Sequence, residues 1–265
     1  MSENRANDLT STTPYLSGRT RARATIFLLA ACVVTGLLGI LSSYLQIDLL
    51  SDALAGGEIT DERAEANDLR EVLVAVLTFL VYIATVVSFS MWIHRAYRNL
   101  RALGHSPSSL EYSPGWAVGW FFVPFANLFY PFRVVNEIWR KSDAHAEDVD
   151  AAFMSSAATA TPPLILWWWV LWLASNFADN IAFRFSDKAE TPGQMLTFTW
   201  FALIVNFLDI ASAGLAILVV REIERRQEER SKRVTLLDNA PPPPPLFEAT
   251  GEPLTGSGPA QSPGG

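Results

Sequence analysis

Residues 115–141 read GWAVGWFFVPFANLFYPFRVVNEIWRK, and the threading of this stretch decides the fold. Residues 115–132 carry no charge, yet Pro124 and Pro131 interrupt them. Polarity then returns with a helical period. Phe132, Val135 and Trp139 share one face. Arg133, Asn136, Glu137 and Arg140 share the other, with Arg133 and Glu137 at the favourable i,i+4 spacing. Pro131 suits the first turn of that helix, where its missing N–H costs nothing. The expectation is an aromatic, proline-broken apolar segment running into an amphipathic helix.

On either side lie long apolar runs. Half of the 265 residues are hydrophobic and nine are Trp. Their clustering points to a membrane protein rather than a soluble one. Four spans are expected, at about residues 24–45, 72–92, 164–183 and 196–220. The first run is about twice as long as the apolar core of a secretory signal, so it reads as a retained span. Ile47, Leu50 and Leu54 extend its helical period to Gly56-Gly57, which caps it. Thr60 or Asp61 starts the next helix, with acids in its first turn. The first two spans thus form one long hairpin, whose acidic tip stands about 15 Å beyond the bilayer. Thr191-Pro192-Gly193-Gln194 has the form of a capping box that opens the last span. Beyond residue 220 that helix continues through Glu222–Arg226 and Arg225–Glu229 pairs, as a solvated surface. Residues 1–19 read as a disordered arm, 20–233 as the membrane domain, and 234–265 as a disordered Pro/Gly-rich tail with a short polyproline II run at 241–245.

Whether 115–132 also crosses the membrane is decided by the basic residues. With four spans, sixteen Lys and Arg fall on one side and four on the other. A fifth crossing divides them nine to eleven. The positive-inside bias selects four spans, with both termini cytoplasmic in the cell membrane. The segment is also short for a span, and its prolines leave backbone groups unpaired in lipid. The expected fold is therefore all-α: four transmembrane helices plus a re-entrant or interfacial amphipathic segment on the cytoplasmic side. Trp116, Trp120 and Trp139 are expected at headgroup depth.

The block SPGWAVGWFFVPFANLFYPFRVVNEIWRKS resembles the signature of a bacterial multi-pass membrane family of unknown function, DUF4328. The REIERRQEER close of the last helix is similar to that family as well, so the resemblance covers roughly residues 20–233. It implies a multi-span helical domain. It carries over no activity, cofactor or catalytic residue.

Two groups of residues are candidates for function. Trp116, Trp120, Asn127, Arg133, Asn136, Glu137, Trp139 and Arg140 offer a polar pocket roofed by aromatics, suited to a lipid headgroup or a partner helix. The bland alternative is an interfacial helix with a satisfied polar face. The second group lies inside the bilayer. Asp209 sits near the bilayer centre, where a charge costs several kcal/mol and must be paired or neutral. Asn206 lies one turn earlier, and Asn176, Asp179 and Asn180 share a face of the third span. Together they suggest a polar seam between the last two spans, serving either as a proton or cation path or as interhelical hydrogen bonds.

No metal ligation is expected, because His94, His105 and His145 have no ligand spacing. No cofactor loop or catalytic motif is present, so the chain reads as a non-enzyme. The arginine clusters flank lipid, which argues against nucleic acid. The expected partners are the lipid bilayer and a membrane protein or second copy of the chain.

Overall fold

The computed structural model describes residues 14–144, 162–186 and 191–239. Among them every regular element is helical: α1 (Arg19–Leu54), α2 (Asp61–Ala102), α3 (Pro114–Gly119), α4 (Tyr130–Lys141), α5 (Pro163–Ser186) and α6 (Pro192–Asp238). Short 3-10 turns occupy Pro107–Ser109 and Ala126–Leu128. Three helices, α1, α2 and α6, are long and apolar enough to cross a membrane. α5, which carries four Trp together with Asn176, Asp179 and Asn180, is not among these three.

Local chemistry sets the helix ends as the residues suggest. Thr60 caps α2 by accepting from the Arg63 amide, and Asp61 and Glu62 face the helix N-terminus. Gly56, at φ 87°, turns the chain out of α1, and Gly104, at φ 93°, does the same after α2. Thr191 and Gln194 form the reciprocal capping box of α6, with Pro192 in the first turn. Ser113 caps α3 with Pro114 at its start, so residues expected as loop are already helical.

α1 packs along both α2 and α6, and α5 packs along α6. The α1–α2 contact is antiparallel and polar at three levels: Thr25 with Ser88 at 2.9 Å, Cys32 with Thr85 at 3.2 Å, and Ser42 with Glu71 at 2.5 Å. Against α6, Gly36 faces Ile210 and Gly39 faces Asn206. A Cβ at Gly39 would lie 2.5 Å from the Asn206 amide oxygen, so the helices approach this closely only because glycine is there. The row of helices therefore runs α2, α1, α6, α5. The segment α3–α4 closes it at one end, where Phe121 meets Phe89 of α2 and Phe132 meets Trp169 of α5.

The core sits at that closed end. Trp92, Ile93, Ala96, Tyr97 and Leu100 of α2 join Val134, Val135 and Ile138 of α4, Ile165 and Trp168 of α5, and Val219, Val220 and Ile223 of α6. Each large side chain so buried contributes about 1.5–3 kcal/mol. The middles of α1 and α2 expose their apolar side chains outward, among them Val76, Leu77, Phe79 and Leu80. That is the surface a helix offers to lipid.

The arm before α1 is docked at its end. Leu16 accepts a 3.0 Å hydrogen bond from Asn99, and Gly18 lies against Glu224. At the other terminus α6 stays helical to Asp238. Residues 1–13 and 240–265, including the polyproline run, lie outside the described residues.

Candidate functional site

The candidate site is built on α3–α4. Trp116 and Trp120 pair at 4.9 Å, Trp120 stacks on Tyr130 at 4.2 Å, and Tyr130 meets Tyr112 edge-on. Of the three Trp expected at headgroup depth, Trp116 alone is mostly exposed (55%). Trp120 is half-buried, and its indole N–H is enclosed without a partner among the described residues. Trp139 is buried beneath the Arg226 guanidinium, 4.2 Å from its ring centre. The exposed edge is instead phenylalanine: Phe122, Phe125 and Phe129, with Phe125 84% exposed at φ 62°. A positive φ is uncommon for a bulky residue and holds the ring outward at the tip of the segment.

Glu137 does not face water. It is fully buried and accepts three hydrogen bonds: from the Tyr97 hydroxyl at 2.7 Å, the Glu111 amide at 2.9 Å and Lys141 Nζ at 2.7 Å. Its ionic partner is therefore Lys141, one turn on, and not Arg133. Arg133 lies 5.6 Å over the Tyr130 ring instead. The reason is tertiary: α4 folds back against α2, so the face read as polar meets Tyr97. Tyr97 in turn accepts from the Tyr112 amide, and burial with the Glu137 hydrogen bond pushes its pKa far up. Asn136 and Arg140 each keep one enclosed atom, Oδ1 and Nε, without a partner among the described residues.

The end of α6, read as a solvated surface, is half buried. Gln227 is fully enclosed; it donates to the Ala96 carbonyl at 2.8 Å and to Ser142 at 3.2 Å, and accepts from Asn99 at 3.2 Å. Glu224 accepts from the Trp92 indole at 3.0 Å. Burial pushes its pKa above the ordinary glutamate value, against the opposing pull of Trp92 and Arg19. The outward face does carry the expected pairs: Glu222 with Arg226 at 3.0 Å and Arg225 with Glu229 at 2.6 Å. Glu222 is held below its ordinary value chiefly by its hydrogen bonds from Arg225. The signal that could have revealed the buried face is the i, i+3, i+4, i+7 run Val220, Ile223, Glu224, Gln227, which continues the lipid-level stripe.

The second group of polar candidates falls into two separate places. Asp209 lies close to the Ser175 hydroxyl of α5, which itself donates to the Trp172 carbonyl at 3.2 Å, and Asp179 lies within electrostatic reach of Asp209. Asn206 turns the other way, donating to its own helix at Ala202 and lying against Gly39 of α1. Asn176 and Asn180 are exposed. They line a groove of about 330 Å³ with Trp172, Leu173 and Phe177 of α5 and with Asn127 and Leu128 of the 3-10 turn between α3 and α4. Asn127 Oδ1 is enclosed there without a hydrogen bond among the described residues. Two asparagines from one candidate group thus meet one from the other. Nothing local in the sequence joins residues so far apart in the chain. Among the described residues no three His, Cys, Asp or Glu side chains converge as a metal site would require.

A family model described as "Domain of unknown function (DUF4328)" matches residues 55–225, which run from the hairpin turn into the last third of α6 and leave out α1. No curated protein and no solved structure matches the chain.

Proposed function

The chain belongs to the DUF4328 family, and we propose that it is a non-enzymatic, multi-pass module of the cell membrane that docks a membrane-protein partner through its re-entrant segment. In this reading α5 is the fourth span, both termini are cytoplasmic, and residues 114–129 dip into the cytoplasmic leaflet. Depth along neighbouring helices supports the dip. Phe121 lies beside Phe89, inside the expected second span. Asn127 lines a groove with Asn176, thirteen residues into α5 and so about 20 Å along it.

The observation that carries the reading is an unsatisfied amide beside an exposed aromatic edge on a rigid base. Asn127 Oδ1 has no partner among the described residues, Phe122, Phe125 and Phe129 are exposed, and α4 beneath them is locked by Glu137. An enclosed acceptor in an apolar setting costs about 1–3 kcal/mol. A polar side chain on a partner helix recovers it. The partner is a second copy of this chain or another membrane protein. The test places a photo-crosslinking phenylalanine analogue at position 125 in cells. A discrete protein adduct, lost when the analogue is moved to exposed Leu236, is the expected result. Lipid adducts alone would overturn the proposal.

A second reading rests on Asp209, which meets Ser175 and lies near Asp179 between α5 and α6. It makes the chain a small proton or cation conduit. Vesicles containing the protein would then carry a flux that Asp209→Asn abolishes, and equal leakage from parent and variant vesicles would contradict it.

A further inference from the structure

Most cations at the closed end of the bundle have a partner. Arg19 pairs with Glu228, Lys141 with Glu137, Arg225 with Glu222 and Glu229, and Arg226 with Glu222 and Asp143. The outward face of α2 differs. His94, Arg95 and Arg98 rise from it beside Arg21 of α1. The charges that act on His94 and on Arg95 are, among the described residues, arginines only. Arg95 encloses a guanidinium nitrogen with no acceptor among the described residues. Arg21 donates to the Met91 carbonyl at 3.2 Å, which uses one of its five N–H groups. Burial and these three arginines together hold His94 below its ordinary pKa. Three arginines and a neutral imidazole therefore converge with no counter-charge among the described residues, and the arginines repel one another.

Directly along the same helices lies a groove of about 370 Å³, lined by Arg21, Ala24, Ala84, Val87, Ser88 and Met91. Its floor is apolar because Ala24 and Ala84 are small and the Ser88 hydroxyl is already bonded to Thr25 at 2.9 Å. It runs from Met91 to Ala84, seven residues or about 10 Å along α2, away from the charges and into the span. A cationic mouth over an apolar trough matches one chemistry: a molecule with an anionic head and a hydrocarbon tail. A zwitterionic lipid brings its own ammonium group and neutralises only part of this charge. We propose that Arg21, His94, Arg95 and Arg98 hold the phosphate of an anionic diacyl phospholipid, with one acyl chain lying over Ala24, Ala84 and Val87. The site is on the α1–α2 face and is independent of the re-entrant segment.

The test uses the full chain purified in detergent, given equal amounts of phosphatidylglycerol and phosphatidylcholine, with retained lipid read by native mass spectrometry. The parent should keep one phosphatidylglycerol. Arg95→Ala/Arg98→Ala should lower that retention by about thirtyfold, since juxtamembrane cations each add about 1 kcal/mol toward anionic lipid. Arg98→Ala alone removes an exposed side chain that makes no hydrogen bond among the described residues; it should weaken retention at an unchanged melting temperature. Ala84→Trp, which fills the trough, should also reduce it. Equal retention of the two lipids, or phosphatidylglycerol retention unchanged in the double variant, would overturn the proposal. Displacement of the lipid by equimolar inorganic phosphate would overturn it too, since the trough would then contribute nothing.

Discussion

The two ends of the α1–α2 hairpin are alike in plan, each a pair of charged helix ends flanking an apolar run, yet they fold by different rules. At the basic end α2 buries Trp92, Ile93, Ala96, Tyr97 and Leu100 completely. At the acidic tip Leu54, Leu69 and Leu73 are all more than half exposed, and the hairpin is held by side-chain pairs such as Arg63–Asp52 at 3.4 Å. The difference lies in the neighbours. The basic end receives α3, α4 and the end of α6, so its polar groups are enclosed and must be matched one to one. Among the described residues the tip receives no third helix, and its charges stay exposed. Burial, and not charge content, decides which ionic groups matter.

This contrast yields an ordered set of expected effects. The largest belongs to Glu137→Ala, which leaves Lys141, the Tyr97 hydroxyl and the Glu111 amide without their shared acceptor. Removing one partner of a buried pair costs about 3–5 kcal/mol. Thermal unfolding in detergent should show a correspondingly large drop, and a loss no greater than a surface mutation would break the comparison.

Next is Glu224→Gln. The carboxyl is raised by burial, so the native state holds its proton more tightly than the unfolded chain does. Its contribution to stability is present below the unfolded glutamate value and is lost as pH rises through the folded one. The variant should therefore exceed the parent in stability at pH 8 by on the order of 1 kcal/mol, and match it near pH 4. A pH-independent difference would show that charge burial is not the cause.

The smallest effect belongs to Arg63→Ala at the tip, where an exposed pair contributes at most about 1 kcal/mol and less in high salt. Unfolding at two salt concentrations measures it, and a loss as large as that of Glu137→Ala would erase the distinction between the ends.

What was legible in the sequence follows the same division. Thr60, Gly56, Thr191 and the antiparallel hairpin could be read because caps and helical periods are local chemistry. The outward pairs Glu222–Arg226 and Arg225–Glu229 were readable for the same reason. From the sequence Glu224 and Gln227 belong to a solvated helix end and Glu137 to the polar face of an amphipathic helix, because their burial depends on a segment folding back from elsewhere. The groove that joins Asn127 to Asn176 and Asn180 was hidden likewise: the sequence puts Asn127 in one polar group and the other two in another, and only the tertiary fold brings the groups together. The Asp209 neighbourhood was half legible. Its depth in α6 marked it, but its neighbour Ser175 is an ordinary small helix residue, while Asn206, on the same helix, turned to α1.

The account stands on residues 114–141 returning to the side they leave. Single cysteines in a Cys32→Ser background, exposed to a membrane-impermeant maleimide in intact cells, measure this directly. Glu58→Cys at the acidic tip should label at once, whereas Ser108→Cys before the segment and Ala144→Cys after it should both label only once the cells are made permeable. Labelling of one of these two in intact cells but not of the other would place them on opposite sides of the membrane and contradict the re-entrant fold.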